Sequence, residues 1–141
     1  MKLTAEQKEQ FELRLWNITE LCYNSVEVPT REFFKRCVRQ GDVFLDYNSY
    51  ALVTADWGDE RTPLLRSIAT PPKCRGMGRA SALLDEIAIF YRGQNCKEIV
   101  LHCKVDNPAQ RLYFKKGYRV TAVLRGYYKP EGNGLEMRLV L

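Results

Sequence analysis

At 141 residues, 45% apolar and 28% charged, the chain has the composition of one ordinary globular domain and excludes a disordered or fibrous protein. No apolar run approaches the roughly 20 residues that span a bilayer, and Met1 to Glu6 lacks the apolar core of a signal peptide. The net charge of +5 is unevenly placed: 8 basic against 11 acidic residues up to Leu65, then 14 against 6, a basic second half suited to a polyanionic ligand.

Thr4-Ala5-Glu6-Gln7 has the form of a capping box and opens a helix on which Phe11, Leu15, Ile18 and Cys22 recur at helical spacing. Asn24, Ser25 and Pro29 interrupt the pattern. Thr30 then caps a second helix to about Gln40, with Gly41 in the place of a C-terminal cap. The period next changes to that of strands, Val43–Tyr47 and Tyr50–Thr54, joined by Asn48 and Ser49. Asp56 to Glu60 reads as a second turn, with Trp57 in it, and Trp16 reads as core. A third strand, Leu64–Thr70, stops at Pro71 and Pro72, which cannot donate to a ladder.

From Ile68 to Ala80 an apolar run gives way to two prolines and then to Arg75, Gly76, Gly78 and Ala80, with an amphipathic helix following. Glycine or alanine at every second position leaves successive backbone N–H groups free to point at one anion, and the helix dipole favours negative charge there. The helix runs from Gly78 to about Arg92 and presents Leu83, Leu84, Ile87, Ala88 and Tyr91 on one face; Gly93 and Asn95 end it. Glu98–Lys104 alternates, Ile99, Leu101 and Cys103 one way and Val100, His102 and Lys104 the other. Asp106-Asn107-Pro108 predicts a helix with Asn107 as N-cap, closing at Lys115-Lys116-Gly117. Two strands follow, Tyr118 to about Gly126 and Leu135–Leu141, around a loop from Lys129 to Gly134. The order ααβββαβαββ is α+β, with mostly antiparallel pairing, in a single domain.

Arg75-Gly76-Met77-Gly78-Arg79-Ala80 resembles the Arg/Gln-x-x-Gly-x-Gly/Ala signature of the GNAT acetyltransferase superfamily. Asn107 to Tyr118 is similar to its second signature, Asn-x-x-Ala-x-x-x-Tyr-x-x-x-Gly-Phe/Tyr, and the two stand in order with one helix and one strand between them. Gly126-Tyr127-Tyr128, a Gly-rich loop and a last strand with Met137 resemble bacterial enzymes that acetylate the N-terminal alanine of a ribosomal protein. The resemblance covers roughly Val43 to Leu141. It implies acetyl-CoA as co-substrate, without a metal, in a GNAT-like mixed sheet flanked by helices. It further implies that backbone groups of Ile68, Ala69 and Thr70 bond the pantetheine arm. The N–H groups of Arg75, Gly76, Met77, Gly78, Arg79 and Ala80 would cradle the pyrophosphate, and Asn107 would meet the amide region. Tyr113 would lie near the sulfur.

Acetyl transfer to an amine needs a deprotonated nitrogen, donors for the developing oxyanion and an acid for the departing thiolate. A tyrosine of ordinary pKa about 10 can supply that acid, and Tyr113 matches the family position; the competing reading is a buried helix aromatic. His102 stands where the enzymes it most resembles carry a glutamate taken as general base. An imidazole suits proton acceptance at neutral pH. A structural histidine is the other reading, with water and Glu136 or a tyrosine hydroxyl then assisting deprotonation. Adjacent strand residues point to opposite faces, so His102 and Cys103 cannot form a nucleophile pair. Cys74 reads as an ordinary loop thiol. Tyr127 and Tyr128 either line the acceptor site or brace the last hairpin.

Five cysteines without a Cys-x-x-Cys pair, and a single histidine, argue against a zinc site and for a reducing, cytoplasmic setting. A P-loop needs Gly-x-x-x-x-Gly-Lys-Ser/Thr, which is absent, and Ser81 stands where a dinucleotide fingerprint needs its third glycine. Two rivals remain. One is a GNAT domain that binds acetyl-CoA without transferring. The other is a basic nucleic-acid module built on Arg111, Lys115, Lys116, Arg119, Arg125 and Lys129 among tyrosines; the paired signatures weigh against it. The expected partner is an amine, small molecule or protein, with no membrane, on a monomer or homodimer. Family chains usually begin with a strand, whereas Thr4 here leads straight into a helix, and Tyr23–Thr30, with Glu27, is the stretch that would shape the acceptor site.

Overall fold

The computed structural model describes residues 1–23, 29–56, 58–128 and 132–141. Its elements are α1 (Ala5–Cys22), α2 (Arg31–Gln40), β1 (Asp42–Asp46), β2 (Ser49–Asp56), β3 (Asp59–Ala69), α3 (Arg79–Gly93), β4 (Glu98–Lys104), α4 (Gln110–Lys115), β5 (Arg119–Tyr128) and β6 (Gly132–Val140), with a 3₁₀ turn at Pro72–Cys74. The six strands are ordered β1-β2-β3-β4-β6-β5. β3 and β4 run parallel and the pairs β1/β2, β4/β6 and β5/β6 antiparallel. The expected α+β class and element order are present. Two compact units divide the chain: Met1–Thr54 with Arg66–Ile87, and Ala55–Leu65 with Ala88–Leu141.

In the first unit, both helix starts follow from their caps. Thr4 accepts from the Gln7 amide while the Gln7 side chain returns to the Thr4 amide, and Thr30 accepts from Phe33. Leu15 and Ile18 of α1, Phe34 and Val38 of α2, and Val43, Tyr50 and Leu52 of the strands form one core, with Phe11, Trp16 and Cys22 packed against it. Trp16 meets Phe34 edge-on at 5.3 Å, with the Arg31 guanidinium 5.0 Å above its ring. Buried Tyr50 shares its hydroxyl with Thr19 (2.6 Å) and Ser67 (3.1 Å).

Several boundaries differ from the sequence expectation. Gly41 does follow α2, but its φ of −93° is one any residue adopts. A Cβ there would lie 2.4 Å from the Val53 carbonyl oxygen, so close approach of β2 is what demands glycine. The β1/β2 turn is Tyr47-Asn48 rather than Asn48-Ser49; Asp46 pairs with Ser49, and Tyr47 takes a left-handed φ of 54°. β3 starts at Asp59, five residues before Leu64, and takes in buried Pro63 just ahead of its parallel pairing with β4. Leu3 and Met1 bond main chain to main chain with Val43 and Leu45, so strand-like pairing does precede α1. Trp57, residues 24–28 with Glu27 and residues 129–131 lie outside the described residues, and so do the expectations placed on them.

The second unit is built on β4. Ile99, Val100, Leu101 and Cys103 are buried with Tyr113, Tyr118 and Met137, so Val100 joins the core although its strand neighbours alternate. Asn107 is not the α4 N-cap. Its Oδ1 accepts from the Ala109 amide at 2.9 Å, closing a turn two residues wide, and the helix starts only at Gln110. β5 departs from regular pairing twice, between Val120 and Ala122 and between Leu124 and Tyr128. Among the described residues no helix is long and apolar enough to cross a membrane.

Candidate active site

In the first unit the chain leaves β3 through Thr70, makes the 3₁₀ turn and enters α3 through Arg75 to Ala80. Gly76 and Gly78 have φ of +82° and +77°, and a Cβ on either would meet nothing within 4 Å. Conformation, not crowding, requires glycine at both positions, and open space lies in front of them. The first N–H groups of a helix have no partner in their own helix. Alternating left-handed residues turn neighbouring N–H groups in one direction, the concave arrangement that takes anions.

Arg75 donates from Nε to the Thr70 carbonyl at 3.0 Å, tying the start of the turn to the end of β3. The Tyr23 hydroxyl donates to the Ile68 carbonyl at 3.2 Å. Each of these carbonyls keeps a second lone pair. Ala69 is buried, and the Thr70 hydroxyl is a buried polar atom without a partner among the described residues. Met77 is exposed. Arg79 leans away over the Tyr47 ring, 3.8 Å from its centroid, and pairs with Asp46 at 3.8 Å. Burial pushes the Cys22 thiol up, partly offset by a hydrogen bond from Arg75. Cys74 accepts a long contact from Asn48 at 3.8 Å.

In the second unit, Tyr113 of α4 is buried, edge-on to Tyr118 with centroids 6.1 Å apart. Asn107 spends its carbonyl oxygen on Ala109, which leaves the carboxamide NH₂ to donate elsewhere. The Tyr118 hydroxyl is fully buried without a partner among the described residues, and burial pushes its pKa up.

His102 and Cys103 point apart as strand geometry requires: Cys103 is buried with its sulfur 4.0 Å from that of Met137, while His102 is part-exposed. His102 Nδ1 lies 3.0 Å from the Tyr127 hydroxyl and Nε2 3.9 Å from Glu136 Oε2. Glu136 accepts from Arg138 Nε at 2.9 Å and from the Thr121 hydroxyl at 2.7 Å. Its carboxyl is held below the ordinary range chiefly by the Arg138 hydrogen bond, against a desolvation that works the other way. Arg138 also pairs with Glu98. Sequence reasoning named Glu136 and Tyr127 without joining either to His102. The joining depends on strand register, which period-2 alternation does not reveal. Among the described residues no group of three or more His, Cys, Asp or Glu is placed to hold a metal.

The chain belongs to the acetyltransferase (GNAT) family, which its residues 13–118 match. Over 82 residues, 57% of this chain and 51% of the other, it is 38% identical to an uncharacterized N-acetyltransferase of Methanocaldococcus jannaschii. The matched region thus spans about half the length of that curated relative. The fold is shared with a chain of the NatC complex bound to Gag peptide and CoA, at a TM-score of 0.81 and 19% identity over 100% of this chain and 96% of that one. It is also shared with a ribosomal-protein-alanine N-acetyltransferase from Brucella melitensis, at a TM-score of 0.72 and 16% identity over 100% and 98%. At such identities the likeness is one of fold.

Proposed function

We propose that the protein is an N-acetyltransferase that takes its acetyl group from acetyl-CoA and moves it to a primary amine. The observation that carries the reading is the pair of left-handed glycines, open to space at the start of α3, in a chain of the GNAT family. Acetyl-CoA supplies an acyl group activated as a thioester. Its diphosphate suits the N–H groups from Arg75 to Ala80, and its pantetheine arm carries amides that suit backbone groups of Ile68 to Thr70 and the unpartnered Thr70 hydroxyl. The Asn107 carboxamide NH₂ is a further donor for the amide region.

In the second unit His102 is the general base and Tyr113 the acid for the thiolate. An imidazole near neutral pKa takes a proton from an ammonium that otherwise has no lone pair for attack. The phenol of Tyr113 delivers a proton to the leaving sulfur. A protein or peptide amine is the favoured acceptor, since the NatC neighbour was crystallised with a peptide and the Brucella neighbour is named for a ribosomal protein. A cytoplasmic location and a single functional domain fit this reading.

Acetyl-CoA should raise the melting temperature in step with its excess over Kd. An acceptor panel of peptide N-termini, free amino acids, polyamines and amino sugars, read by CoA release, then identifies the amine. No thermal shift, with salt-dependent binding to oligonucleotides instead, would favour the nucleic-acid reading. A shift without CoA release from any acceptor would favour a binding domain that does not transfer.

A further inference from the structure

Glu136, His102 and Tyr127 come from β6, β4 and β5 of the second unit. His102 and Glu136 stand directly opposite each other in the antiparallel β4/β6 ladder. Tyr127 is two strands away from His102, because β6 lies between β4 and β5. Its reach across β6 is provided by the backbone in two places. Gly126 takes a left-handed φ of 63° within the irregular stretch from Leu124 to Tyr128, and its amide is held by Asn133 Oδ1 at 2.9 Å. On β6, a Cβ at Gly134 would lie 2.9 Å from Tyr128 Cε2 and 3.3 Å from Tyr127 Cβ, so a larger residue there would crowd the tyrosine pair. The outcome is an edge-on His102–Tyr127 contact, 5.2 Å between centroids, with the hydroxyl 3.0 Å from Nδ1.

We infer that Tyr127 is a catalytic residue, the outer end of a Tyr127–His102–Glu136 proton relay that accepts the proton of the substrate ammonium. This rests on the N-acetyltransferase reading for its substrate. Glu136, whose Oε1 is engaged by Arg138 and Thr121, places Oε2 3.9 Å from Nε2, an ion-pair distance at which its charge favours the imidazolium, while the relay uses the tautomer whose Nδ1 accepts from the Tyr127 hydroxyl 3.0 Å away. The Tyr127 hydroxyl donates its hydrogen to Nδ1 as its oxygen takes one from the ammonium nitrogen. A neutral amine and an imidazolium result, and the phenol is regenerated. Glu136 stabilises the imidazolium without taking its proton, so it is a positioning residue. Tyr127 is 52% exposed and gives the relay its contact with solvent, through which the proton is later discharged. Among the described residues, the charges near the pair include Lys104, whose Nζ is 5.9 Å from the Tyr128 ring centroid, and the Arg138–Glu98 ion pair behind Glu136.

His102 is the chain's only histidine, so NMR reads its titration without ambiguity. Glu136→Gln should lower the His102 pKa by about one unit, because an opposite charge is removed. It should move the acid limb of the kcat/KM profile to lower pH by the same amount. Tyr127→Phe keeps the ring and should lower kcat/KM about tenfold at neutral pH, with most of the loss recovered at alkaline pH, where the amine sheds its own proton. A His102 titration unmoved by Glu136→Gln overturns the relay, whatever the acceptor. A Tyr127→Phe enzyme with an unaltered pH profile overturns it as well. Failure of the acetyl-transfer reading looks different: the wild type then releases no CoA with any amine, while the NMR result still decides the relay.

Discussion

The glycine turn of the first unit and the β4–β6–β5 cluster of the second are built from different materials, which suits the two different tasks proposed for them. The proposed anion site rests on main-chain groups: Gly76 and Gly78 contribute their φ angles, and Arg79 sits on Tyr47 and Asp46. The cluster depends on side chains from three strands, with one ring nitrogen of His102 turned to each neighbour. Binding a diphosphate needs donors held still, which backbone supplies cheaply. Moving a proton needs groups that can change charge, which backbone does not have. Substitutions in the first region should therefore act on coenzyme affinity and those in the second on turnover.

The largest expected effect tests the second half of that contrast. His102→Ala should cut kcat by about 10²- to 10⁴-fold, the range for loss of a general base, while acetyl-CoA Kd by calorimetry stays within twofold or so. Unchanged turnover would remove His102 from the mechanism. Tyr113→Phe should likewise lower turnover and spare coenzyme affinity, by roughly 10²-fold if the phenol is the acid.

Gly78→Ala tests the first half. A left-handed alanine costs about 1–2 kcal/mol, so the turn should relax to another conformation and weaken acetyl-CoA binding about tenfold. Turnover at saturating coenzyme should hold, and an unaltered Kd would deny the turn its role. The smallest effect concerns pH. Glu136 is held below the ordinary carboxylate range by Arg138, so its contribution to stability is complete above about pH 4.3 and is lost as pH falls through its depressed folded value. The melting temperatures of wild type and Glu136→Gln should differ at neutral pH and converge in acid; a gap that persists in acid would contradict this linkage.

How far each region could be read in advance follows the same division. Caps at Thr4 and Thr30, the glycine turn and the Gly117 stop are local signals, so the helices and the left-handed conformation of the glycine turn were legible within a residue or two. Asn107 misled because asparagine bonds its own backbone two residues on whether or not a helix begins there. The reason for Gly41 was hidden, since it lies in the Val53 carbonyl of another element. The His102–Glu136–Tyr127 arrangement was hidden for the same reason. It needs the β4/β6 register and an irregular β5, and both are set by tertiary pairing.

β5 is also a sheet edge, and nearly every side chain on it reaches solvent, Val123 at 57% among them. A regular strand with exposed valines would invite another chain to pair along it. The departure from register between Leu124 and Tyr128, which helps carry Tyr127 to His102, and that between Val120 and Ala122 also interrupt the regular pairing of this edge, and Arg119 and Arg125 place charge along it. The bend that brings the Tyr127 hydroxyl to His102 thus doubles as protection against aggregation. Regularising β5 for stability should make concentrated solutions of the protein precipitate.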